Sequence, residues 1–171
     1  MSGHLSASKP RIAWSLDCAP GIKTSSGGRA SILVAVDDFT RYVLCVVLPK
    51  LDSKAIRQAF VERILTVYGR PERVRTDGGR EFAGEFTTLL DTLNIQRIQT
   101  RTVSPWTNGK AERMVRHVKS LLRRSLFTTR ESDWQELLPY VVAAINATVS
   151  RTTGYSPHEI FFGEAPSPIV A

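Results

Sequence analysis

Two short segments of this chain each carry a carboxylate in a setting where chemistry is plausible. One is Arg75-Thr76-Asp77-Gly78-Gly79-Arg80-Glu81-Phe82 and the other is Ser104-Pro105-Trp106-Thr107-Asn108-Gly109-Lys110-Ala111-Glu112-Arg113. Asp77 and Glu112 lie 35 positions apart, and a third acid, Asp17, sits upstream in Trp14-Ser15-Leu16-Asp17. Three carboxylates brought together from separate elements repel one another, and each raises its neighbours' pKa. A hard divalent cation with oxygen ligands, Mg²⁺ or Mn²⁺, removes that penalty. Two such ions roughly 3.5–4 Å apart can serve the attacking and the leaving oxygen of a phosphoryl transfer. Singly, each acid has a plain structural use, as a turn residue, a cap or a helix-dipole partner. Only their joint placement points to chemistry.

The elements that must place them can be read from periodicity. Residues 12–18 alternate, with Ile12, Trp14, Leu16 and Cys18 on one face and Ala13, Ser15 and Asp17 on the other. A Gly/Ser-rich turn leads to two apolar runs, 31–36 and 42–48, joined at Asp37-Asp38-Phe39-Thr40-Arg41, and the acid pair there reads as turn residues. Ser53 can cap a helix over 53–68, which Gly69 and Pro71 end. A short strand over 73–76 runs into Asp77, a helix follows over 82–93, and Glu81 and Glu85 read as its solvated side. Residues 95–100 form another strand, and 102–108 a polar loop. Long helices are expected over 108–127 and 134–147, the second capped by Ser132 or Asp133, with irregular structure over 150–171.

The order is βββ-α-β-α-β-α-α. It predicts an α/β fold: a mixed five-stranded sheet, with an antiparallel meander of three strands, two parallel strands, and helices on both faces. The first strand should be central, with the fourth beside it. Asp17 and Asp77 then lie at adjacent strand ends and Glu112 on a flanking helix.

That helix offers more. With Glu112 at 0° and 100° per residue, Arg116 falls at about +40°, Lys119 at about −20° and Arg123 at about +20°. Ala111, Val115, Val118, Leu122 and Leu126 occupy a separate arc of roughly 240–320°. A basic rail therefore continues from Glu112 and suits phosphates entering a metal site. Asn108 and Gly109, one turn earlier, can bring amide and backbone donors to a nucleotide. Arg113 and Arg124 point elsewhere.

Composition agrees with an anionic partner. The chain has 171 residues, 42% of them hydrophobic, a formal charge of +7 and a pI near 9.8. That length suits one domain. No apolar run approaches a membrane span, and the N-terminus lacks the pattern of a secretory signal. Cys18 and Cys45 lie in apolar runs and read as buried reduced thiols, which fits an intracellular setting. The sequon Asn146-Ala147-Thr148 reads as chance in a chain without a secretion signal.

Taken together, the chain resembles the catalytic core of retroviral and LTR-retrotransposon integrases, within the DDE polynucleotidyl transferases of RNase H-like fold. The resemblance rests on Trp14 to Asp17, Val36 to Tyr42, Arg75 to Phe82, Ser104 to Arg113 and Thr153-Gly154-Tyr155-Ser156-Pro157-His158-Glu159-Ile160-Phe161-Phe162-Gly163. These segments occur in family order, and the last is most like Ty3/gypsy-type elements and their gammaretroviral and spumaviral relatives. The resemblance implies that Asp17, Asp77 and Glu112 are the DDE triad and hold two Mg²⁺ or Mn²⁺ ions. It makes Asn108, Arg116 and Lys119 contacts to element or viral DNA. The implied activity is 3′-end processing followed by strand transfer into target DNA. The implied partners are DNA and a second copy of the chain, in a homodimer that assembles further on DNA. The implied location is the host nucleus, or the virion or virus-like particle before integration.

The chain also departs from the family pattern. The acids Asp77 and Glu112 are separated by residues 78 to 111, one fewer than is usual in retroviral cores, and Trp106 replaces a common Gln. His4, His117, His158, Cys18 and Cys45 lack the spacing of the zinc module that precedes such cores, and no C-terminal barrel follows. The expected organisation is a disordered lead-in at 1–10, a core at 11–165 and a tail at 166–171. It would be an isolated core from a longer polyprotein, or a domesticated module that binds DNA or scaffolds without catalysis.

Overall fold

The computed structural model describes residues 7–99, 105–129 and 133–167, and the side chains of 105–110 and 127–129 fall outside that description. Strands β1 (Ala13–Lys23), β2 (Arg29–Asp37) and β3 (Val43–Leu48) form an antiparallel meander. Strands β4 (Arg73–Thr76) and β5 (Gln96–Gln99) add to its other side in parallel, giving the order β3-β2-β1-β4-β5. β1 is central and neighbours β4, as the crossover argument requires. It runs further than its alternating stretch suggests. Pro20 lacks an N–H to donate and Gly21 takes φ +62, so a bulge between Ala19 and Ile22 interrupts the ladder without ending the strand.

The two sheet faces are covered by different helices. On one face Trp14, Leu16, Leu33 and Ala35 meet Ile56 and Phe60 of α1 (Ser53–Phe60) and Phe86 and Leu90 of α3 (Glu85–Thr92). On the other, Ala19, Ile32, Val34 and Val36 meet α4 (Pro105–Thr129) through Ala111, Val115, Val118 and Leu122. They also meet α5 (Trp134–Ala147) through Trp134, Leu138, Val141 and Ile145. Runs apolar on both sides, such as Ser31 to Val36, are what a doubly covered strand needs.

Several local readings shift. The α1 cap is Asp52, whose Oδ1 accepts from Ala55 N at 2.9 Å. Ser53 instead donates to Ala83 O and accepts from Phe86 N at 2.9 Å, tying α1 to the start of α3. The helix predicted over 53–68 passes through a π-helical turn, Val61–Leu65, before α2 (Thr66–Tyr68), and Gly69 at φ +85 stops it. Phe82 belongs to a separate 3₁₀ turn, Arg80–Phe82, because Gly84 at φ +56 breaks the path into α3. α4 begins at Pro105 rather than 108, where a missing N–H costs the helix nothing. Asp133 caps α5, its Oδ1 accepting from Gln135 N at 2.9 Å.

The largest correction concerns the stretch expected to be irregular. Ser156 and Glu159 form a reciprocal capping box that starts α6 (Pro157–Phe162). This short helix buries Phe161, which stacks on Tyr42 at 4.4 Å and meets Trp14 edge-on at 5.9 Å. Asn146 was the other surprise. It is buried, its Oδ1 accepts from Val43 N and its Nδ2 donates to Val43 O, both at 2.8 Å. It thereby pairs backbone groups on edge strand β3 and fixes α5 to the sheet.

Candidate active site

β1 and β4 run parallel with Ala13 opposite Arg73 and Ser15 opposite Arg75. Two residues further along both chains, the same register sets Asp17 beside Asp77, on the face that α4 covers. Asp17 is half-buried, and its Oδ1 accepts from Cys18 N at 2.8 Å. Asp77 is the first residue past β4, and its Oδ1 accepts from Gly79 N at 2.9 Å, so the acid shapes the turn that carries the chain away. Glu112 is exposed on α4 directly after Ala111, which is fully buried against the sheet.

The electrostatics show that these acids share one neighbourhood. The Asp17 carboxyl is raised from 3.8 to about 6. Burial is the largest cause, the Cys18 N–H opposes it, and the charges of Asp77, Glu112 and Glu81 push the same way as burial. The Cys18 thiol is also pushed up, by burial and then by Glu81, Asp17 and Asp77. Glu81, read from the sequence as a solvated helix residue, is therefore a fourth acid at this place. It sits in the 3₁₀ turn and folds back over Gly79, where an added Cβ would lie 2.7 Å from its carboxyl carbon. A larger residue at 79 would therefore displace the Glu81 carboxylate from this position. No periodicity marks Glu81, because one residue in a tight turn has no helical face.

Among the described residues, no three His, Cys, Asp or Glu side chains stand close enough to hold an ion as they lie. The donor chemistry nevertheless fits a hard divalent cation: carboxylate oxygens, with the charges of Asp77, Glu112 and Glu81 adding to the burial that raises Asp17.

Behind the acids lies a network that sequence reasoning reduced to a turn. Asp37 is fully buried, its Oδ2 accepting from Arg11 N at 2.8 Å and its Oδ1 from Thr40 N and Thr40 Oγ1, both at 2.8 Å. Asp38 is also buried. Its Oδ1 accepts from Ser15 Oγ at 2.6 Å, and its Oδ2 pairs with an Arg75 guanidinium nitrogen at 3.2 Å. Ser15 and Arg75 each stand two residues before one of the two candidate aspartates, so Asp38 clamps β1 to β4 just below both.

Arg116, Lys119 and Arg123 are exposed along α4, as a rail requires. Asn108 and Gly109 belong to the first turns of that helix, and the Asn108 side chain lies outside the described residues. Arg113, expected to point away from the rail, lines a groove with Arg41, Arg116 and His117. Of the lead-in expected at 1–10, residues 7–10 are described and bend into Arg11. Cys18 and Cys45 are free, partly buried and packed on opposite sheet faces. Burial of Asn146 removes it as a modification site. No helix among the described residues is long and apolar enough to cross a membrane.

Known proteins are similar to this chain in sequence and in fold. The Gag-Pol polyprotein of avian reticuloendotheliosis virus is 28% identical over 171 residues, 99% of this chain and 14% of that protein. The chain spans between 10% and 15% of the length of the viral and transposon polyproteins it matches. The simian T-cell lymphotropic virus intasome, solved in complex with PP2A regulatory subunit B56 gamma, superposes with a TM-score of 0.81 at 20% identity. It covers 96% of this chain and 59% of that one. The HTLV-2 integrase catalytic core domain, in complex with magnesium in a trimeric form, gives 0.75 at 21% identity, covering 91% and 99%. At such identities these structures speak for the fold, which is the RNase H-like one. The family model described as Integrase core domain matches residues 7–105, more than half of the chain. With that match and the fold in agreement, the chain belongs to the integrase core domain family.

Proposed function

We propose that residues 11–165 form the catalytic core of an integrase that carries out 3′-end processing and DNA strand transfer. The observation that supports this reading best is the parallel register of β1 and β4, which carries Asp17 and Asp77 toward adjacent strand ends, with the charges of Asp77 and Glu112 adding to the burial that raises the Asp17 carboxyl. Asp17, Asp77 and Glu112 would hold Mg²⁺ or Mn²⁺, as two ions. When bound, such ions supply charge stabilisation for the attacking and leaving oxygens of phosphoryl transfer. The protein's own share is positioning. β1 and β4 hold the two aspartates side by side, the Asp38 clamp fixes those strands, and α4 brings Glu112 over them.

In the first step water attacks a phosphodiester near a 3′ end, one P–O bond forms as another breaks, and a 3′-OH is left. In the second step that 3′-OH attacks a target phosphodiester in the same way. Arg116, Lys119 and Arg123 would take phosphates along α4, with Asn108 and Gly109 contacting a nucleotide ahead of them. DNA ends and target DNA are the substrates on this reading. A homodimer with higher assembly on DNA is the working form, acting in the host nucleus or within a particle beforehand. Magnesium-bound HTLV-2 cores of the same fold, solved in a dimeric and in a trimeric form, support the cofactor and assembly parts.

The test is a disintegration assay on a branched DNA substrate, run with Mg²⁺, with Mn²⁺ and with chelator. The branch presents both ends already positioned, so the core alone suffices. Activity is expected with either metal and absent with chelator. Glu112→Gln should abolish it without altering the far-UV spectrum, and full activity of that variant in Mn²⁺ would overturn the site assignment.

A further inference from the structure

α4 is a ridge with different chemistry on its two flanks. Glu112 stands on the flank facing β1 and β4, where its charge acts on Asp17. Arg113, Met114 and His117 stand toward β2, where they meet Val36 and the turn residue Arg41 around a groove of about 650 Å³, with Arg116 at its lip. The floor is apolar and the polar lining is entirely basic, three guanidiniums and an imidazole. Among the described residues none of the four makes an ion pair within 4 Å. Asp38 and Asp37 act on Arg41 from beneath, and both are held in the buried network, Asp38 by Ser15 Oγ at 2.6 Å and Arg75 at 3.2 Å.

The basic side chains of the groove act on one another at short range. Arg41 is held below the usual arginine range by loss of solvent around its guanidinium; Asp38 opposes that shift, Arg113 adds to it, and Asp37 opposes it more weakly. Like charges set around an open groove are relieved by an anion. Guanidiniums match the oxygens of a phosphate in paired, planar hydrogen bonds.

We propose that the groove of Arg41, Arg113, Arg116 and His117 is a second phosphate-binding site, which takes a backbone phosphodiester of bound DNA away from the scissile one. The assignment rests on the integrase reading above and extends it. DNA is favoured over a free anion because Arg116 belongs both to this groove and to the basic rail. One backbone can therefore pass over the ridge from groove to acids. The crossing is one helix width, ~10–12 Å. Measured along a duplex axis, that is about three base-pair steps at a rise of ~3.4 Å each. Arg41 would thus set how far from the reacting phosphate the backbone is gripped.

The test is DNA binding by the whole chain, followed by fluorescence anisotropy on a duplex oligonucleotide across a salt series. Each lost phosphate contact should flatten the slope of log K against log[salt] by about one. Arg41→Gln and Arg113→Gln should each do so, the double variant by about two, and Arg41→Lys should keep the wild-type slope. Both positions are exposed, and a thermal melt of each variant confirms its fold. Unchanged slopes in both Gln variants would overturn the proposal. So would binding of inorganic phosphate in the groove, seen by NMR of the arginine side chains, with no change in the DNA slope. A wild-type chain that binds no DNA would sink the integrase reading itself. That result is read on the unaltered protein and is distinct from a groove variant that behaves as wild type.

Discussion

Replacing Asp17 with asparagine should make the metal-free protein more stable at neutral pH. In the folded chain this carboxyl is raised from 3.8 to about 6, by burial and by the charges of Asp77, Glu112 and Glu81. A raised carboxyl means that the folded state holds the proton more tightly than the unfolded state does. Its contribution to stability is complete below pH 3.8 and is lost as pH rises through about 6. At ~1.36 kcal/mol per pH unit the full loss is about 3 kcal/mol. Solvent screening at this half-open site brings it to about 1–2 kcal/mol. Asparagine keeps an oxygen to accept from Cys18 N and carries no charge to lose. Asp17→Asn should therefore melt roughly 2–8 °C above wild type at pH 7.5, in chelator, given ~2–4 °C per kcal/mol for a chain of this size. At pH 4 the difference should vanish. Differential scanning calorimetry reads both values. Adding Mg²⁺ at pH 7.5 reverses the comparison: wild type should gain about 2.7 kcal/mol at a hundredfold excess over its Kd, and the variant much less. A variant no more stable than wild type at pH 7.5, or equally stabilised at both pH values, would refute the account. An equal response of the two proteins to Mg²⁺ would remove Asp17 from the ligand set.

Other parts of the structure carry their own expectations. Asn146→Ala strands the N–H and C=O of buried Val43 and should cost about 2–4 kcal/mol in urea denaturation. Arg75→Leu leaves Asp38 as a buried carboxylate with one fewer partner and should cost about 3–5 kcal/mol, whereas Arg75→Leu with Asp38→Asn should lose less than the two single changes added together. Phe161→Ala should cost about 3–5 kcal/mol, because it empties the space between Trp14 and Tyr42; a loss under 1 kcal/mol would mean that α6 is a passive appendage.

Much of the frame was legible in the residues. Alternation in 12–18 and two-sided apolar runs announced β1, β2 and β3, and the helical spacing of Ala111, Val115, Val118 and Leu122 announced the seat of α4. Strand order followed from connection rules, and with it the nearness of Asp17 and Asp77. Side-chain partners did not follow. Asp52 and Ser53 are both good caps, and only the approach of Phe86 N decides which one serves. A six-residue helix such as α6 is too short for a period, so Phe161 looked like one more aromatic in a loop.

The sequence by itself determined which elements form, their order, and which acids end up near the same strand ends, because those outcomes depend on local geometry and chain connectivity. Tertiary structure alone decided that Glu81 joins the acids, that Asp38 clamps the strands beneath them, and that Arg113 faces Arg41 rather than open water. Those are contacts between residues far apart in the chain or held in tight turns. A carboxylate or guanidinium acquires such a role from the field and the partners that packing places around it, and no periodicity records them.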